Sequence, residues 1–272
     1  MSAPGPIVAP PNTTRAFLQA RDNARQALLQ RLTPRGHWVG HLSSSALSTA
    51  VAVVALSWME QEPALIESGL EWLARHQAPD GGWGDTPESP SNPSTTLLCW
   101  AAFHRCAGPT NRHAATLQHA EQWLSQRLGN LQPLHIADRI IELYGDDRTF
   151  SVPILALCAA CGCLGPGPQA WRHIPQLPFE LAALPHQVFK WLRLPVVSYA
   201  IPALIAIGLM RHQNLPQTGF HPLRRLRERL KPTVLRVLHQ SQPATGGFLE
   251  AVPLTGFVVM ALAASGLVMS LW

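Results

Sequence analysis

Read for hydrophobic period, almost the whole chain is helical, and its helices are of two kinds. In the first, apolar residues recur three and four positions apart with Arg, Gln and Glu between them. Arg15 to Leu32, Ala64 to Gln77, Ala114 to Leu128 and Leu223 to Gln240 read this way. In the second kind nearly every position is apolar: Ala46 to Met59, Thr95 to Cys106, Val152 to Cys163, Val196 to Met210 and Leu254 to Leu271. A helix apolar on all sides must be covered on all sides or sit in lipid. No alternating pattern of similar strength predicts a strand. The pattern predicts an all-α fold in which an inner ring of apolar helices is wrapped by an outer ring of amphipathic ones. Its span is about ten or eleven helices, close to a closed double ring of about six pairs.

The connections between these helices repeat. Gln77-Ala78-Pro79-Asp80-Gly81-Gly82-Trp83 is matched by Gln242-Pro243-Ala244-Thr245-Gly246-Gly247-Phe248, with Gln, Gly, Gly and an aromatic at the same offsets. Leu32-Thr33-Pro34-Arg35-Gly36-His37-Trp38 keeps Gly36 and Trp38 but has Leu where Gln belongs. Trp123-Leu124 followed by Gln126-Arg127-Leu128-Gly129 reads as a degraded further copy. Each clear copy follows an amphipathic helix and precedes an apolar one. Glycine permits positive φ at a helix C-terminus, and a Gln amide can reach the unpaired backbone groups at helix ends. The aromatic ring is expected to lie over the end of the next outer helix. Gly36, Trp38, Gln77, Gly81, Gly82, Trp83, Gln242, Gly246, Gly247 and Phe248 are therefore structural, stapling one repeat to the next.

Composition narrows the picture. Charged residues are 14% of the 272, against about 25% in an ordinary soluble protein. Hydrophobic residues are 47% and the formal net charge is +5. Such a chain is not intrinsically disordered, and it lacks the clustered basic stripe that nucleic acid requires. Residues 1–13 are expected to be a disordered Pro-rich arm, and 14–272 one domain. The start has neither a basic segment nor an apolar core typical of a secretion signal, which predicts a cytoplasmic protein with reduced cysteines. Cys158-x-x-Cys161-x-Cys163 has no second pair to complete a tetrahedral zinc site, so these thiols are expected to pack as small apolar side chains. Leu254 to Trp272 is uncharged and long enough to cross a bilayer. Gly256, Ser265 and Gly266 interrupt it, however, and it follows a repeat turn as the inner helices do. The expectation is a buried ring helix whose apolar end needs a partner or a continuation.

The repeat carries a resemblance. Gln-x(3)-Gly-Gly-Trp after an amphipathic helix resembles the QW motif of the squalene–hopene and oxidosqualene cyclases, the class II terpene cyclases. Gly36-His37-Trp38-Val39-Gly40-His41-Leu42 is similar to the Gly-x-Trp-x-Gly-x-Leu segment near the start of those enzymes. Leu177-Pro178-Phe179-Glu180-Leu181 through Leu184-Pro185, followed by Trp191 and the apolar Val196 to Met210, resembles the Pro-Pro-Glu segment and succeeding helix of their N-terminal half. The resemblance covers residues from about 24 to 268 and implies an α/α barrel corresponding to the N-terminal, non-catalytic half.

The same resemblance implies what is missing. Class II cyclisation begins when a carboxylic acid protonates an alkene or epoxide, and the family takes that acid from an Asp-x-Asp-Asp motif in its other barrel. Adjacent carboxylates and hydrogen bonds tune one Asp as the proton donor. No such motif occurs here: Asp80, Asp85 and Glu88 do not form it, and Asp146-Asp147, the one adjacent pair, reads as a solvated loop. Aromatics that would stabilise carbocations are 7% of the chain. His37 and His41 bracket Trp38 in a Gly-rich turn, not on a helix face, and no zinc-helix signature accompanies them. The zinc set of prenyltransferase β subunits has no Asp-x-Cys counterpart. Arg224 to Arg229 reads as the solvated face of an outer helix, with anionic lipid headgroups as the alternative ligand.

The resemblance thus predicts a terpene cyclase family protein with no catalytic residue, metal or cofactor of its own. It would support cyclisation of an isoprenoid beside a catalytic barrel or in a homo-oligomer, peripherally on the inner face of a membrane. The alternative is a non-enzymatic module binding an isoprenoid or a partner at that surface.

Overall fold

The computed structural model describes residues 11–40, 42–106, 112–185, 200–216 and 221–267. Its described residues form ten α-helices and three short 3-10 helices, with no strand among them. Chain contacts separate two units, Met1–Ser43 and Ser44–Trp272. The first holds helix α1 (Pro11–Gln30) and the turn after it. α1 starts at Pro11 and so includes residues 11–13, which the sequence assigns to the arm; residues 1–10 lie outside the described residues.

In the second unit five helices touch in a closed circuit. They are α2 (Ala46–Met59), α4 (Pro93–Cys106), α7 (Arg148–Ala160), α8 (Ile201–Asn214) and α10 (Val252–Ala264), each packing on the next and α10 returning to α2. These are the uniformly apolar segments. In α4 every residue from Ser94 to Phe103 is buried, and in α7 every residue from Ser151 to Ala160. The amphipathic helices lie outside the circuit. α3 (Pro63–Arg75) packs on α2 and α4, α5 (Ala114–Leu128) on α4, α6 (Pro133–Tyr144) on α7, and α9 (Pro222–Gln240) on α8. Their buried positions form one stripe, as with Leu70 and Leu73 of α3 or Val234 and Leu238 of α9. Burying each such aliphatic side chain contributes about 1.5–3 kcal/mol.

Helix ends follow local chemistry. Ser45 caps α2 by accepting from the Ser48 amide, and Asp147 caps α7 by accepting from the Thr149 amide. Asp146 and Asp147 are exposed in the connection between α6 and α7, as the loop reading expects, and Asp147 also caps α7, which starts four residues before the expected Val152. Two inner helices stop sooner than their apolar runs suggest. Gly162 and Gly266 adopt positive φ of 81° and 67°. The amides of Cys163 and Leu267 then reach back to the carbonyls of Cys158 and Leu262, closing both helices with a Schellman turn. Cys161 and Cys163 therefore follow α7, and the run from Leu254 is helical only to Ala264. Residues 268–272 of that run, and 196–199 of the run before α8, lie outside the described residues. None of the described helices is long and apolar enough to cross a membrane. α6 is absent from the spans read by period, although Pro133 at its first position and Gly145 after it delimit it.

The circuit closes because α10 meets α2 at a glycine. A Cβ on Gly256 would stand 2.7 Å from Cγ1 of Val51 and 3.4 Å from the Val51 carbonyl oxygen. Replacing Gly256 by Ala is expected to force the two helices apart and cost about 1–3 kcal/mol. Urea denaturation of Gly256→Ala checks this; an unchanged midpoint would show that the contact relaxes freely.

Candidate functional site: the repeat turns

The turn between α3 and α4 is closed by the bonds Ala78 N–H to Gly82 O and Gly81 N–H to Ala78 O, both 2.9 Å, with Gly81 at φ 91°. Gln77 Nε2 donates to Gly81 O and to Thr116 O, each at 2.9 Å. Thr116 lies in the first turn of α5, so one amide ties the turn to the next outer helix. Trp83 is 1% exposed and stacks on Phe103 of α4, ring centres 6.0 Å apart. Its indole N–H donates to Leu73 O at 2.9 Å, in the last turn of α3. The ring therefore caps the outer helix that precedes it, not the one that follows as expected from sequence. The Trp83 amide is taken by Thr96 Oγ1 at 3.0 Å, a buried hydroxyl of α4. Three helices meet through one heptapeptide, Gln77 to Trp83.

The other copies keep this frame and lose parts of it. After α1, Thr33 N–H bonds His37 O and Gly36 N–H bonds Thr33 O, with Gly36 at φ 78°. Trp38 Nε1 donates to Leu28 O at 2.7 Å, ten residues back, as Trp83 does to Leu73. Leu32 offers no amide. After α9, Gly246 N–H bonds Pro243 O, Gln242 Nε2 donates to Gly246 O, and the Phe248 amide is taken by Thr255 Oγ1. Gly247 precedes the 3-10 helix Phe248–Glu250 with extended backbone. The Phe248 ring has no N–H to send to Leu238 O; Ser241 Oγ donates there at 2.7 Å. The smaller ring leaves a cavity of about 80 Å³ bordered by Met59, Leu238, Gln242, Gly246, Phe248 and Leu262. Those last five stand where Leu73, Gln77, Gly81, Trp83 and Phe103 stand in the complete copy.

Asp80 is the electrostatic centre of the complete turn. Its Oδ1 accepts from Ser91 Oγ at 2.7 Å and from the Gly82 amide at 3.1 Å, and its Oδ2 accepts from Trp123 Nε1 at 2.9 Å. Partial burial pushes the carboxyl pKa up. The Ser91, Gly82 and Trp123 bonds, with Arg127 nearby, outweigh that and leave it below the ordinary value. Trp123, which precedes the degraded turn at Gln126 to Gly129, is thus bound into the neighbouring complete one. A Cβ on Gly82 would stand 2.7 Å from Cβ of Ser91 and 3.0 Å from Cε2 of Trp123, so the second glycine is needed for this approach.

The other candidates are placed elsewhere. Cys158, Cys161 and Cys163 are buried thiols, and burial pushes Cys158 up to about 12, far from the thiolate a metal needs. Among the described residues no three His, Cys, Asp or Glu are gathered to hold a metal ion. His37 contacts Thr33 Oγ1, while His41 and Trp191 lie outside the described residues. The basic cluster departs from the solvated-face reading most clearly at Arg227. Arg227 Nη2 pairs with Glu180 Oε1 at 2.8 Å, and both side chains are largely buried beside Phe179. The 3-10 helix Phe179–Ala183 packs on α9 and turns Arg227 inward. On the same side His212 Nε2 meets Glu228 Oε1 at 2.8 Å. Burial drives the His212 pKa down more strongly than Glu228 raises it. No spacing rule flags Asp80, Glu180 or His212, because each acquires its role from residues distant in sequence.

Residues 22–144 match the squalene-hopene cyclase N-terminal domain. The matched stretch contains the turns at Gly36 to Trp38 and Gln77 to Trp83; the turn at Gln242 to Phe248 lies beyond it. Enfumafungin synthase of Hormonema carpetanum is 31% identical over 213 residues, 75% of this chain and 14% of that protein. A terpene cyclase–glycosyl transferase fusion protein of Humicola fuscoatra is 29% identical over 231 residues, 74% of this chain and 15% of its own length. Terpentedienyl-diphosphate synthase of Kitasatospora griseola is 27% identical over 152 residues, 54% of this chain and 30% of its own. The chain is thus a distant homologue of fungal and bacterial terpene cyclases and spans a small part of their length.

Two outcomes follow for the turn at Gln77 to Trp83. Trp83→Phe leaves the Leu73 carbonyl without its indole donor and is expected to cost about 1–3 kcal/mol, read as a lowered urea midpoint. Asp80→Asn tests the carboxylate. Because its folded pKa lies below the ordinary 3.8, its stabilisation is full above that pH and fades as pH falls through the folded value. The midpoint gap between native protein and Asp80→Asn should therefore be constant near neutrality and close in acid. A gap that widens in acid would contradict the assignment.

Proposed function

We propose that this chain is the non-catalytic α/α barrel of a class II terpene cyclase scaffold. Its task is to brace a catalytic barrel and to help wall the apolar pocket in which an isoprenoid is cyclised. The observation that carries the reading is the squalene-hopene cyclase N-terminal domain match over residues 22–144 in a sequence without Asp-x-Asp-Asp. The closed circuit of apolar helices, with amphipathic helices outside it and repeat turns between them, supports the barrel assignment.

Division of labour follows from the chemistry. Protonating an alkene needs a carboxylic acid held in its neutral form within an apolar site. The carboxylates described above serve other ends: Asp80 accepts three hydrogen bonds, Asp147 caps α7, and Glu180 is paired with Arg227. The proton donor therefore comes from a separate barrel, and no metal or cofactor is assigned to this chain. Isoprenoids partition into bilayers, so the assembly works at a membrane surface, on its cytoplasmic face. The second reading, a module that binds an isoprenoid or a partner without cyclisation, is favoured by the same missing acid.

Incubating squalene with the purified chain should give no cyclised product by gas chromatography. Adding a separately expressed cyclase barrel that carries Asp-x-Asp-Asp should restore turnover if the chain braces it. Product from this chain alone would overturn the proposal. Saturable squalene binding without any effect on the added barrel would favour the binding module.

A further inference from the structure

Four of the five ring helices end at one cleft. Trp58 in the last turn of α2, Ala159 and Ala160 of α7, Gln213 and Asn214 of α8 and Ala264 of α10 all border it. The connection after α7 forms the remaining wall, with Pro166, Pro168 and Trp171. A Cβ on Gly162, Gly165 or Gly167 would meet nothing within 4 Å, so open space lies beside that connection. The cleft holds about 690 Å³, a size in the range of roughly 300–1,000 Å³ found for small-molecule sites.

The walls define the chemistry of an occupant. No lining residue is charged, so an ion seated there would be without a counter-charge. Helix C-termini are the negative ends of their dipoles, which opposes an anion further and favours a group that can donate. The carbonyl of Ala160, last in α7, accepts no hydrogen bond among the described residues. The Trp58 indole N–H is buried and has no acceptor among the described residues. Arg105 Nε donates to Ser57 Oγ at 2.7 Å, and its guanidinium stacks 3.9 Å from the centre of the Trp58 ring, which fixes the indole in place.

We propose that this cleft binds a neutral, largely apolar alcohol of isoprenoid size. The hydrocarbon lies against Trp58, Trp171 and the prolines, and the hydroxyl accepts from Trp58 Nε1 and donates to a helix-end carbonyl. Apolar contact alone would suit any hydrocarbon. The unpaired indole donor and the unpaired carbonyl select an alcohol over a hydrocarbon, and a lining without cations selects it over a phosphate ester. Every lining residue belongs to this chain, so the site goes beyond the scaffold role and needs no second barrel. Its isoprenoid size rests on the scaffold reading, and its hydroxyl rests on the cleft.

The test is equilibrium dialysis of the full chain against radiolabelled farnesol, squalene and farnesyl diphosphate, which share an isoprenoid chain and differ in their end groups. Saturable binding of farnesol is expected, with the other two weaker by about tenfold or more. Trp58→Phe keeps a ring and removes the N–H. It should weaken farnesol by about tenfold and leave squalene unchanged. Ala264→Phe fills the cleft from the end of α10 and should abolish farnesol binding, while the bond from Asn214 to the Ala264 carbonyl is made by backbone and survives. Circular dichroism of each variant confirms that the helices remain. No saturable farnesol binding, or binding undiminished in Ala264→Phe, would overturn the proposal. Farnesyl diphosphate bound as tightly as farnesol would overturn it in favour of an anion site. Equal losses of farnesol and squalene in Trp58→Phe would reduce the indole to apolar contact and overturn the alcohol assignment. Dialysis needs no added barrel and no turnover, so its failure leaves the scaffold reading intact, and failure of turnover leaves the dialysis result intact.

Discussion

Ring helices that are apolar on every side can be packed only if the chain turns into and out of them without stranding backbone polar groups. That requirement is met at Trp83. Its ring is buried among the inner helices while its N–H reaches the last turn of α3, so one side chain satisfies both the apolar interior and an unpaired carbonyl. Gln77 carries the bond outward to α5, and Asp80 gathers Ser91, Gly82 and Trp123 around the same turn. The order of outer and inner helices depends on this turn, because it sets where each outer helix stops and where the next inner one enters.

Variation among the copies shows which parts of the turn are separable. The bond from the first glycine's N–H is present in all three, the second loop bond in two because Pro243 has no N–H, and the indole-to-carbonyl bond in two. Where the aromatic is Phe248, Ser241 supplies the missing donor and a small cavity marks the missing indole ring. The carbonyl at the helix end is thus satisfied by whichever donor is nearest, as expected when an unmade buried hydrogen bond costs more than a made one contributes.

The shortage of charge has the same origin. Rows such as Ser94 to Phe103 and Ser151 to Ala160 leave no position for an ionised group, and five such helices dilute charge without any described helix being long and apolar enough to span a bilayer. Two pairs join α9 to its neighbours, Glu180 with Arg227 and His212 of α8 with Glu228, while Arg211 bonds the Ile174 carbonyl and the Gln176 side chain. Arg225, Arg229 and Arg236 of α9 are exposed.

Much of this was open to reading from residue order alone. Hydrophobic period separates inner from outer helices, because a buried helix needs apolar residues all round and a covering helix needs one stripe. Glycine and aromatic spacing marks the turns, because positive φ and an end-capping ring are local demands. Helix ends were harder: Gly162 and Gly266 stop their helices only through bonds formed in the turn itself, and α6 was missed despite Pro133 and Gly145. Contacts between distant segments were not legible. That Trp83 caps α3 rather than α5, that Asp80 holds Trp123, that Arg227 turns inward, and that Gly256 admits Val51 follow from which helices lie side by side. Local propensity and period act within a few residues of the chain. Hydrogen-bond partners, buried charge and close helix approach are properties of neighbours brought together by packing, and only the tertiary structure decides those.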